Sequence, residues 1–195
     1  MSNDEFHSQF FEDKWLVRNN IFRFPGFFLD IAAGDWKRYS NTLYFERNRW
    51  DGICVEADPR SLIGLIENRK QVVSGVIVPK KTKGLTSFYI NSGNKDVSST
   101  EFQKDQKVLT SATFTASDLI KKFKIKKVDL LSLDIEGIEA PILKEILDFP
   151  ILPTAIIVEF LTVENNHSEL ILKMMENYPY TLRKKTHANF IFTKK

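Results

Sequence analysis

Apolar residues along this chain fall into short runs and helical stripes that alternate. Gly26 to Ile31 is an apolar run bounded by Pro25 and Gly34. It is too short for a helix and predicts a buried strand. Ser40 to Arg49 has helical spacing, with Leu43, Tyr44 and Phe45 near one face and Ser40 or Asn41 as N-cap. Gly52 to Glu56 predicts a second strand. Pro59 to Lys70 predicts a helix with Pro59 in its first turn and Leu62, Ile63, Leu65 and Ile66 as apolar positions. Val72 to Val78 predicts a third strand. Gly84 to Ile90 alternates loosely, as an edge strand or hairpin arm does. Asn91 to Thr110 is polar, without a strong period, and is expected to be a mobile surface excursion. Beyond it the pattern predicts a helix at Ser117–Phe123, a strand at Val128–Leu133, a helix at Glu139–Leu147, a strand at Thr154–Val158 and a helix at Asn166–Asn177. A terminal antiparallel hairpin follows at Tyr180–Lys184 and Asn189–Thr193. Residues 1–20 are expected to form a capping segment, with Phe10, Phe11, Trp15 and Leu16 on one apolar side, and 21–195 the main domain.

Alternating strands and helices imply an α/β domain with a mostly parallel sheet covered on both faces. In such sheets ligands bind beyond the carboxyl ends of the strands, at the switch in strand order. Four predicted strands stop at a carboxylate there: Asp30, Glu56, Asp134 and Glu159.

Composition narrows the picture. The chain has 195 residues, enough for one domain with a full core. Its 16 Phe predict an aromatic-rich core. The net charge of +3 is too mild to imply nucleic acid. Lysines cluster at 80–83 and 121–127, and Arg183, Lys184 and Lys185 form a third group. The single cysteine, Cys54, excludes an intrachain disulfide and a Cys-cluster zinc site. No signal core precedes the domain and no apolar run approaches the ~20 residues of a membrane span. A cytoplasmic location is expected.

Glu56 ends the second strand of the first βαβ unit, where an acid accepts hydrogen bonds from ribose hydroxyls. That position alone does not separate a dinucleotide from S-adenosylmethionine. The first loop does. A pyrophosphate needs a glycine-rich turn, and here Gly34 is followed directly by Asp35 and Trp36. Asp35 would repel a phosphate. S-adenosylmethionine has none and carries a sulfonium and an ammonium. An acid about 4 Å from such a charge gains up to ~4 kcal/mol at an effective dielectric near 20.

The strings Phe28-Leu-Asp30-Ile-Ala-Ala-Gly34-Asp35, Ser40-Asn41-Thr42 with Glu46, and Trp50-Asp-Gly-Ile-Cys-Val-Glu56-Ala-Asp58-Pro59 resemble the FkbM-type methyltransferase family. So do Asp134-Ile-Glu136-Gly137-Ile-Glu139 and the ending Asn189-Phe-Ile-Phe192. The resemblance implies a Rossmann-like class I methyltransferase fold: a seven-stranded sheet with the last strand antiparallel. It implies O-methylation of a sugar or metabolite hydroxyl, with Asp30 and Gly34 at the methionine end of the cofactor, Glu56 at its ribose and Asp134 where cofactor and acceptor meet. The family often has glycine where Ala32 and Trp36 stand, so Trp36 is expected to narrow the loop.

The candidate cofactor-binding residues are thus Asp30, Gly34, Asp35, Asn41, Thr42, Glu56 and Asp134. The candidate bases for a hydroxyl acceptor are Asp134, Glu136 and Glu159. Asp134 and Glu159 could instead share a divalent cation, although no metal ligand set is assigned. The acceptor is expected to be a small molecule or carbohydrate. Two alternatives are a non-catalytic binding module with this fold, suggested by Trp36, and an RNA-modifying methyltransferase, suggested by the lysine clusters.

Overall fold

The structure is a computed structural model, and it describes residues 5–80, 85–91, 106–135, 137–161 and 166–195. In chain order the elements are α1 (Glu12–Arg18), β1 (Phe27–Ile31), α2 (Leu43–Arg47), β2 (Asp51–Glu56), α3 (Pro59–Asn68), β3 (Val72–Ser74), β4 (Val76–Ile77), β5 (Leu85–Asn91), β6 (Gln106–Phe114), α4 (Ala116–Lys122), β7 (Leu130–Leu133), α5 (Glu139–Leu147), β8 (Ala155–Glu159), α6 (Ser168–Met175), β9 (Tyr180–Lys185) and β10 (Asn189–Lys194). A seven-stranded sheet has the order β3-β2-β1-β7-β8-β10-β9. Neighbours from β3 to β8 are parallel, and β10 runs antiparallel to both β8 and β9. This is the Rossmann-like class I arrangement that the resemblance implies.

Strand alternation assigns the two faces. Leu29, Ile31, Val55, Leu133 and Val158 point into one core with Leu119 of α4, Leu143 of α5 and Ile171 of α6. Phe28, Cys54, Leu130, Ile157 and Ile191 point into the other, with Leu16 of α1, Phe45 of α2 and Leu65 of α3. Part of the aromatic richness is concentrated there: Phe45, Phe22 and Phe24 stand 4.8, 5.0 and 5.6 Å from Trp50. Burial pushes the Cys54 thiol up, which suits an inert core residue.

Two sequence expectations need correction. The third strand divides at Gly75, whose φ is +153°. A Cβ there would lie 2.6 Å from the Phe114 ring and 2.8 Å from the Ala112 carbonyl oxygen, so only glycine lets the chain leave the main sheet at this point. Its second half, β4, joins a separate three-stranded sheet of order β4-β6-β5. The expected excursion over 91–110 also gives way to strand at both of its ends. Asn91 belongs to β5, and β6 already begins at Gln106, paired antiparallel with β5. Residues 92–105 lie outside the described residues. An arm held by a main-chain ladder on a small side sheet needs little apolar patterning of its own, so its sequence carried no strand signal.

The N-terminal segment is fastened at several points. Ser8 bridges to Tyr39, Leu16 is fully buried, and the Asn189 side-chain amide donates to Glu12 Oε1 at 2.8 Å. Among the described residues, no helix is long and apolar enough to cross a membrane.

Candidate active site at the carboxyl edge of the sheet

Register places the strand-end acids relative to one another. Ile31, Val55, Leu133 and Val158 form one row across β2, β1, β7 and β8. Glu56, Asp134 and Glu159 each follow that row, and Asp30 precedes it by one residue. Adjacent strands lie about 4.8 Å apart, so Asp134 and Glu159 are close neighbours, while Glu56 stands on the far side of β1. The strand order reverses between β1 and β7, which makes this edge the switch point.

The first loop leaves β1 through two left-handed residues, Ala32 at φ 59° and Gly34 at φ 62°. A Cβ built at Gly34 would meet nothing within 4 Å, so the loop faces open space there. Trp36 does not fill that space. Its indole lies against α3, where a Cβ on Gly64 would come 2.8 Å from it. The expected narrowing of the loop by Trp36 is therefore absent. Asp35 accepts from the backbone N–H groups of Lys37 and Arg38 at 3.0 and 2.9 Å and shapes the next turn.

Glu56 joins the two loops on its side of the switch. Oε2 accepts from Gly34 N–H at 2.7 Å, and Oε1 from Ala57 and Asp58 N–H at 2.7 Å each. A carboxylate offers about four acceptor positions, so one remains, on Oε2. Burial is the largest influence on this acid and raises its pKa against those three N–H groups. Asp58 caps α3 by accepting from Arg60 N–H at 2.9 Å and also binds the Arg60 guanidinium.

Asp30 does not open directly onto solvent; it is 3% exposed. Its Oδ2 accepts from the Thr42 hydroxyl at 2.5 Å. Thr42 in turn accepts from Arg69 Nη2 at 2.7 Å. Arg69 Nε donates to Glu46 Oε2 at 2.6 Å and Nη1 to Ser40 Oγ at 3.1 Å. Asn41 Nδ2 donates to Ser132 Oγ at 3.1 Å, and Ser132 hydrogen-bonds Asp30. Thr42, fully buried, thus sits beneath the mouth and supports Asp30. The N-cap of α2 is Thr42 and neither Ser40 nor Asn41, the two expected; Ser40 Oγ accepts from Leu43 N–H at 3.2 Å from two residues before that cap.

Arg69 had no place among the sequence candidates. Its signal was the spacing Ser61, Leu65, Arg69. These are the buried positions of α3 and its C-cap at four-residue intervals, while Ile63 and Ile66, expected as apolar positions, are exposed.

On the other side of the switch, Asp134 N–H donates to the Ile31 carbonyl at 3.3 Å, which holds the end of β7 against β1. Glu139, 1% exposed, clamps the loop after Asp134. Its Oε1 accepts from the N–H groups of Ile135 and Gly137 at 3.1 and 3.0 Å. Glu136 lies outside the described residues. Glu159 ends β8 opposite Asn189, the residue that binds Glu12. His167 starts α6, its N–H donating to the Phe160 carbonyl at 2.7 Å. Among the described residues, no group of three or more His, Cys, Asp or Glu is placed to hold a metal ion, so the alternative of a divalent cation shared by Asp134 and Glu159 gains no support there.

The fold is shared with several solved methyltransferases. A TehB-like SAM-dependent methyltransferase from Corynebacterium glutamicum superposes with a TM-score of 0.52 at 12% identity, covering 94% of this chain and 88% of that one. A precorrin-6y C5,15-methyltransferase from Geobacter metallireducens gives 0.53 at 10% identity, with 100% and 96% covered. An SAH-bound methyltransferase from Podospora anserina gives 0.50 at 14% identity, with 98% and 81% covered. No curated protein matches the sequence. The sequence profile of the Methyltransferase FkbM domain matches residues 30–182, from Asp30 near the end of β1 into the terminal hairpin. The chain belongs to the FkbM methyltransferase domain family.

Proposed function

We propose that this methyltransferase moves the methyl group of S-adenosylmethionine to a hydroxyl of a sugar, glycan or small metabolite. The observation that carries the reading is the row of carboxylates at the switch point, beside a first loop that is open at Gly34 and flanked by Asp35. Such a mouth suits a cationic nucleoside and repels a phosphate-bearing one. The residues fit the cofactor: Asp30 and Gly34 serve its methionine end, and the remaining acceptor position of Glu56 serves a ribose hydroxyl. When bound, the cofactor supplies a methyl group already activated by its sulfonium.

The protein's own work is alignment and proton removal. Asp134 ranks first as the base for the acceptor hydroxyl, because it directly follows the strand next to β1 at the switch point, with Glu159 one strand further. Glu136 remains a third candidate. Glu139 holds the loop that follows Asp134 and so fixes where that loop runs.

Calorimetry tests the reading. S-adenosylhomocysteine should bind at micromolar levels, and a chain that shows no binding is not this enzyme. Asp134→Asn should then lower turnover on a hydroxyl acceptor by about 100-fold or more, the usual worth of a general base, with cofactor affinity nearly unchanged. Equal turnover by the variant removes Asp134 from the role.

A further inference from the structure

Among the described residues Arg69 is the one buried lysine or arginine, at 5% exposure. A guanidinium only donates. The Thr42 oxygen therefore accepts from Arg69, and its own proton is left to point at Asp30, 2.5 Å away. Arg69 also holds Ser40, two residues earlier in the same turn, and draws α2 in through Glu46. Its guanidinium further lies 5.5 Å from the Phe28 ring, under the sheet face that carries Asp30. One side chain at the end of α3 thus fixes the 40–42 turn against the end of β1.

We infer that Arg69 is a positioning residue of the cofactor cradle, acting through the Thr42 hydroxyl to hold Asp30 as an oriented carboxylate at the foot of the first loop. The inference rests on the cofactor reading above. Two carboxylates, Asp30 and Glu46, face a single guanidinium, so with Asp30 ionised the cluster carries a negative excess that favours a cationic ligand. The titratable groups facing Asp30 are Arg69 at the end of α3, Glu46 on α2 and Cys54 on β2. Burial pushes the Asp30 pKa up, and Arg69 and the two hydroxyls oppose it. Without Arg69, the Asp30 pKa should move further up and Thr42 should lose its fixed direction.

The test uses S-adenosylhomocysteine binding by calorimetry together with thermal unfolding. Arg69→Met should weaken binding at least tenfold at pH 7, and the loss should shrink as pH is raised and Asp30 ionises. The pair Glu46→Leu with Arg69→Met replaces a buried ion pair by apolar groups, an exchange that is often neutral for stability. It should unfold near the parent's midpoint yet keep the tenfold loss. Thr42→Val leaves the Arg69–Glu46 pair intact and should reproduce that loss. Parent-like affinity in either the pair variant or Thr42→Val overturns the inference alone. A parent that does not bind S-adenosylhomocysteine overturns the cofactor reading and this inference with it.

Discussion

Single residues at this edge combine local strain with shared duties. Ala32 is held at φ 59°, in the left-handed region where a Cβ costs about 1–2 kcal/mol. Glycine removes that cost and gives back about 0.5–1 kcal/mol in unfolded-chain entropy. Ala32→Gly should therefore raise stability by up to about 1.5 kcal/mol, read as a higher urea midpoint at unchanged slope. A lower midpoint would show that the Ala32 methyl contributes packing that outweighs its backbone. Glu56 shows why a residue's place can be legible while its function is less so. Its position at the end of β2 followed from the apolar run that precedes it. That its carboxylate would also bind Gly34, 22 residues earlier, depended on how the first loop folds back, which no local pattern records. Arg69 was hidden for a similar reason. A charged residue reads as solvent-facing unless its acceptors are known, and those come from the 36–46 segment, brought beside α3 only by the fold.

At the scale of elements, strands buried on both faces were the most legible. β1, β2, β7 and β8 are apolar on both sides, so each run announces itself and its carboxyl end. β6 carried no such signal, because it lies in the side sheet. β9 is one of the two edge strands of the main sheet, and its exposed Arg183 and Lys185 with half-buried Lys184 fit protection against edge pairing. That is a simpler account of this basic cluster than nucleic acid. The N-terminal segment bears on how the domain is divided. We propose that residues 1–20 cap the 21–195 domain as one folding unit with it, since Leu16 is completely buried among residues of α2, α3 and the sheet. Leu16→Ala should then cost about 2–5 kcal/mol of global stability in a single unfolding transition. An unchanged midpoint, or a separate early transition, would mean that the cap melts independently.

The molecule as a whole buries more acid than its mild net charge suggests, and this fixes the sign of its pH response. Asp13, Asp30, Glu56 and Glu139 all have raised pKa values, with burial the largest cause in each. A raised value means that the folded state holds its proton to higher pH than the unfolded chain does. Stability from these groups is therefore fully present below the ordinary carboxylate range and falls as pH rises through the folded values. His7, lowered mainly by burial, works in the opposite sense as pH falls through its ordinary range, but it is a single group. The thermal midpoint should accordingly decline as pH rises above the ordinary carboxylate range, with each such acid contributing at most about 1.4 kcal/mol per pH unit. Glu139→Gln isolates one of them. The glutamine carbonyl can still accept from Ile135 and Gly137, so the loop stays closed while the titration disappears. The midpoint of this variant should fall less steeply with pH than the parent's, and parallel slopes would show that Glu139 is already ionised in the fold across the range. A cationic ligand at the mouth stabilises the ionised forms of Asp30 and Glu56. Saturating S-adenosylmethionine should therefore flatten the parent's slope as well, and a slope unaffected by the ligand would place its charge away from these acids.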